Sequence, residues 1–107
     1  MKIIRNNIIP FKGFKAINLF GILFVREGSK MNEYDLNHEA IHSEQMKELL
    51  YLFFYLFYVI EWIVKVIKYK DLDLAYHDIS FEREAYMNQY NLEYLLRRQP
   101  FNWIKLL

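Results

Sequence analysis

Apolar residues fall along this chain in two different patterns. Up to residue 32 they come in short β-branched and aromatic runs cut by Pro10, Gly13, Gly21 and Gly28, whereas from Asn32 to the residue before Pro100 there is no glycine or proline. Turn residues between short apolar runs mark strands, and a long stretch without helix breakers marks consecutive helices. The strand candidates are Phe14 to Phe20 and Ile22 to Arg26, with Gly21 at the bend between them; Ile3 to Arg5 and Ile8 to Ile9 are secondary candidates. The expected fold class is α+β and mostly helical. A small N-terminal antiparallel hairpin or sheet in residues 1–32 leads into helices over 33–107, all in one domain.

Within the helical part, Leu49 to Ile60 is twelve apolar residues without a break. A bilayer span needs about 20 such residues, and extending this run meets Glu61 and then Lys65. The run therefore reads as the buried centre of a small helical core. The alternative is that residues 49–67 dock on a membrane surface or a partner helix, which Tyr51, Tyr55, Tyr58 and Trp62 would also suit. A single straight helix over 38–68 would be about 45 Å long at 1.5 Å per residue. Residues 69–81, at roughly 3.4 Å each when extended, could barely retrace that length, and a compact domain of this size has a radius near 13 Å. A break is therefore expected within 48–58, with helices around 34–50 and 55–69. The last long helix is expected to start near Ser80 as N-cap and to carry Glu82 and Glu84 in its first turn. It should stop before Pro100 with Arg97 and Arg98 in its last turn.

Composition narrows the function. Hydrophobic residues at 54% and aromatics at 19% exclude a disordered tail. Fourteen basic against thirteen acidic side chains leave a net charge of +1, too little for a dedicated nucleic-acid binder. With no cysteine there is neither a disulfide framework nor a thiolate site, so any metal must be held by His, Asp or Glu. The first seven residues lack the apolar core of a signal peptide, and the expected location is the cytoplasm, with membrane association as the alternative.

The strongest chemical signal is His38-Glu39-Ala40-Ile41-His42, the HExxH pattern, inside the stretch read as helical. On a helix His38 and His42 project from one face a turn apart, so both imidazoles can reach one ion. Glu39 sits one position round, placed to take a proton from water beside that ion as general base. Asp35, His38, His42 and Gln45 form a polar stripe at i, i+3, i+7 and i+10, which a surface face without metal would also show.

A catalytic zinc ion usually takes three protein ligands, so a third must come from elsewhere. Glu48 is rejected. It falls where the extended pattern HExxHxxGxxH has its last histidine, but Gln45 replaces the turning glycine, and on a continuing helix Glu48 lies about 240° round from His42. Glu82 and Glu84, in Phe81-Glu82-Arg83-Glu84-Ala85-Tyr86, are candidates from a second helix. His77 is another, as ligand or as donor to a developing oxyanion, a part Tyr76 can also play.

These segments resemble the gluzincin class of zinc metallopeptidases, whose second motif is a glutamate on a separate helix, written E-x-x-A-D or E-x-x-x-D. Residues 82–86 match at Glu82 and Ala85, with Tyr86 where many members have aspartate. Residues 37–45 look like the HExxHxxQ variant of small bacterial gluzincin-like proteins, and the length is similar to that of minigluzincins. The resemblance implies a zinc ion held by His38, His42 and Glu82, with Glu84 as the fallback. It further implies Glu39 as base and a peptide or protein substrate held extended on an edge strand from residues 14–26. Tyr86 leaves open what orients the histidines, the usual part of that aspartate.

Overall fold

The computed structural model describes residues 2–9 and 15–107. Three strands open the chain: β1 (Lys2–Asn6), β2 (Ala16–Leu19) and β3 (Ile22–Arg26). β2 and β3 form the expected antiparallel hairpin, with Ala16 opposite Val25 and Leu19 opposite Ile22. Phe20 and Gly21, at φ 54° and 84°, make the two-residue turn; positive φ at both positions matches the twist of the strands it joins. β1 adds to the other side of β3 in parallel, Lys2 opposite Ile22 through Asn6 opposite Arg26, so the sheet is mixed and runs β1-β3-β2. Ile8 and Ile9 are not strand, because the Asn6 side-chain oxygen accepts both their backbone N–H groups at 2.8 and 2.6 Å and curls the chain. Phe14 lies outside the described residues.

The helices follow as α1 (Glu33–Glu48), α2 (Leu52–Tyr69), α3 (Leu72–His77), α4 (Ser80–Asn88) and α5 (Tyr94–Arg97), then a 3-10 turn over Asn102–Leu106. Asn32 starts α1 through a reciprocal cap with Asp35. The expected break falls between α1 and α2, where Leu50 and Tyr51 take φ of 55° and 63° and the two helices meet at 109°. The principal extents of 36 × 33 × 25 Å show why: a 45 Å rod does not fit.

Two expectations about the second half are corrected. α4 is short, and α5 is a separate turn rather than its continuation. The Asn37 side-chain amide donates to the carbonyls of Asn88, Gln89 and Asn91 at 3.3, 2.8 and 3.0 Å, ending α4 with its terminal acceptors satisfied. Ser80 is the first helical residue rather than the N-cap, and Glu61 of α2 does the capping: its carboxylate accepts the Ser80 N–H and hydroxyl, both at 2.6 Å.

The apolar run is not a buried centre. On α2 only Phe54 is buried, while Leu52, Leu56 and Ile60 are 69%, 51% and 48% exposed. α2 packs on α3 and α1, and among the described residues its other side stays exposed. The core is instead Met46, Phe54, Ile79, Phe81 and Trp103, with Tyr58 and Trp62 against it; Phe81 meets Phe54 and Trp103 at 4.8 and 4.7 Å between ring centres. α1 lies between β2 and α4, so one of its faces is held against each. No helix among the described residues is long and apolar enough to cross a membrane.

Candidate metal centre

α1 turns His38 and His42 toward α4, which brings Glu82 to meet them. Glu82 Oε1 lies 3.2 Å from His38 Nε2 and 3.0 Å from His42 Nε2, and the two Nε2 atoms are 3.1 Å apart. All three side chains are buried. The sequence-derived trio of His38, His42 and Glu82 is thus assembled. Donors around a four-coordinate ion with bonds of about 2.0–2.1 Å lie about 3.3 Å apart, so the residues present fit such a group.

The outer atoms of each of these side chains are also held. His42 Nδ1 faces Gln45 Oε1 at 2.8 Å and His38 Nδ1 faces Gln89 Oε1 at 2.7 Å. The Gln45 amide nitrogen donates to the Phe81 carbonyl at 3.0 Å and to Glu84 Oε1 at 2.9 Å. With its nitrogen committed to two acceptors, Gln45 must present oxygen to His42, which requires a proton on His42 Nδ1 and leaves the neutral ring's Nε2 lone pair for the cluster. Tyr58 donates its hydroxyl to Glu82 Oε2 at 2.5 Å, leaving Oε1 for the histidines. Gln45 and Gln89 are therefore what orients the two rings, and Tyr86 contributes only an edge-on ring contact to His38 at 4.5 Å.

Charge at the cluster follows from this packing. Burial alone would lower His42, but the Glu82 carboxylate overrides it and carries the imidazole up to about 9. Burial alone would raise Glu82, but His42 and the hydrogen bonds from both histidines and Tyr58 hold it well below the usual carboxylate range. The pocket calls for positive charge between these groups. Glu39, beside them, is pushed up by burial, the direction a group that both takes and returns a proton needs.

The remaining candidates separate. Glu84 is fully buried and does not join the cluster; it accepts from Tyr94, Arg98 and Gln45, and Arg98 overrides the effect of burial to keep its carboxyl low. Glu48 faces away as expected, in a two-pronged pair with Arg98 at 3.0 and 2.9 Å. His77 is half exposed, with Nδ1 on the Asp73 carbonyl at 3.0 Å and its ring stacked on Tyr86. It is brought neither to the cluster nor to the cavity wall. Tyr76 does reach that wall, and burial raises its hydroxyl well above the ordinary value.

A cavity of about 600 Å³ opens onto the cluster. His38, Glu39, His42 and Glu82 form its polar end, and Met46, Phe54 and Tyr58 line an apolar wall. β2, the outer strand of the sheet on that side, also lines the cavity, from Ala16 to Leu19. The Asn18 side-chain amide fastens β2 to α1 by donating to the Glu39 carbonyl at 3.0 Å and to Ser43 Oγ at 2.9 Å. Comparison with family models, with curated proteins and with solved structures found no match.

Proposed function

We propose that this chain is a small zinc-dependent hydrolase that cleaves peptide bonds, working in the manner of the gluzincin metallopeptidases it resembles. The observation that carries the reading is the convergence of His38, His42 and Glu82 on one point at the polar end of a cavity that Glu39 also lines.

A bound zinc ion would supply Lewis acidity toward water and toward a scissile carbonyl. The chain's own residues supply the rest. His38, His42 and Glu82 hold the ion, and Gln45, Gln89 and Tyr58 fix how they face it. Glu39, its affinity for protons raised by burial, takes the proton of the attacking water and passes it to the leaving amine. Tyr76 reaches the cavity as a neutral hydroxyl and is the candidate donor to the carbonyl oxygen. β2 offers an outer strand edge along the cavity for an extended peptide.

The test is metal content together with hydrolysis of a mixed peptide library. The purified protein should hold one zinc per chain, His38→Ala should lose it, and Glu39→Gln should keep the metal while losing at least about a hundredfold in rate. Stoichiometric zinc with no cleavage of any peptide would leave a metal-binding role and refute the hydrolase. A chain that binds no metal would refute both.

A further inference from the structure

The outer side of α2 is apolar without interruption. At 100° per residue, Leu52, Leu56, Val59, Ile60, Ile63 and Ile67 fall on one face, and Phe53, Phe57 and Val64 widen it to an arc of about 160°. All nine are at least 43% exposed. Together they make a patch on the order of 1,000 Å², above the roughly 300–600 Å² that an ordinary soluble monomer carries.

We propose that this face is a lipid-docking surface, and that α2 lies in the plane of a bilayer interface with these side chains in the acyl region. Three observations favour lipid over a protein partner. A protein interface of this area carries about one hydrogen bond per 100–200 Å², yet no side chain in the arc can make one. The residues that anchor protein interfaces, Trp, Tyr and Arg, are missing from it, and Tyr55, Tyr58 and Trp62 all turn inward. The arc is also wider than the narrow seam that one partner helix covers.

Charge agrees. The exposed charged residues of the α2 segment are Lys68 and Lys70, whereas Glu61 is occupied by Ser80 and Lys65 by Asp78 at 2.7 Å. Asp71, next along, is committed to capping α3. Two lysines beside an apolar face suit anionic headgroups. Phe54, Tyr55 and Tyr58, which line the cavity, sit on the opposite side of α2. The candidate metal centre would therefore stand above the lipid by about the 10 Å thickness of one helix.

The test is flotation of the full chain with vesicles of phosphatidylcholine, alone or with about one third phosphatidylserine. Wild type should float with both and more with the anionic mixture, and Lys68→Gln with Lys70→Gln should remove most of that difference. Ile60→Glu with Val64→Glu should lower the floated fraction about tenfold, with far-UV circular dichroism unchanged. If that pair fails to fold, Leu56→Gln with Ile67→Gln should lower flotation in the same direction. His38→Ala should float like wild type, which separates this proposal from the hydrolase reading. Wild type left in the bottom fraction with both compositions would overturn the proposal. So would a discrete dimer that Ile60→Glu splits while wild type fails to float, because a second copy would then own the face.

Discussion

Replacing Gln45 by methionine isolates what orients His42. Methionine keeps the volume of this fully buried side chain but removes its amide. Three hydrogen bonds disappear: to His42 Nδ1, to the Phe81 carbonyl and to Glu84 Oε1. Each leaves a buried polar group short of one partner, at about 1 kcal/mol apiece, so unfolding should become easier by about 3 kcal/mol. The more telling effect is on metal affinity. Without an acceptor facing Nδ1, the neutral ring is free to carry its proton on Nε2, the atom that must face the ion. Losing such an outer partner typically weakens binding about 10- to 100-fold. Chelator competition measures the zinc Kd, urea denaturation the stability, and nitrogen-15 spectra of labelled histidine show which ring nitrogen is protonated in the chelated protein above about pH 9, where His42 is neutral. A stability loss of this size with an unchanged Kd and an unchanged spectrum would refute the reasoning, reducing Gln45 to a packing residue.

Stability of the metal-free protein should depend on pH in a defined sense. His42 is carried from 6.5 to about 9 on folding, so its contribution is full below about 6.5 and disappears as pH rises through 9; the gap is worth about 3 kcal/mol. Glu82 is shifted the other way, so its contribution holds above about 4.5 and is lost as pH falls. Urea denaturation of the chelated protein should therefore show greatest stability between about pH 5 and 6.5, and a flat profile from pH 6 to 10 would count against the pair. At the proposed site zinc would have to displace the His42 proton, so log Kd should improve by about one for each pH unit up to about 9 and then level off. Arg98→Met leaves the buried Glu84 and the partly buried Glu48 without their shared cation and should cost about 3–5 kcal/mol in the same assay. Leu50→Gly, at an exposed position with φ of 55°, should raise stability by about 0.5–1 kcal/mol, read as a higher Tm.

The residues that were legible in advance are those whose role is set by local periodicity. One-turn spacing put His38 and His42 together, chain-length arithmetic required the break that Leu50 and Tyr51 supply, and that break brought Glu82 back to α1. Gln45 stood in the polar stripe without revealing its task, because that task depends on Glu84 and Phe81, some 36 to 39 positions away. Gln89 gave no local sign, since the end of α4 is set by Asn37 reaching across from α1. The parallel placement of β1 and the outward face of α2 were illegible for a related reason. Both depend on what else in the chain is available to cover an edge or a face, and hydrophobicity alone reports affinity for burial rather than its achievement.

Two grips from α2 converge on the helix that carries Glu82. Glu61 holds its first residue, and Tyr58, not quite one turn earlier, holds the carboxylate itself. The third donor therefore moves with α2 as a tenant on someone else's scaffold, and any tilt of that long helix would be transmitted to one corner of the donor triangle while the α1 histidines stay put.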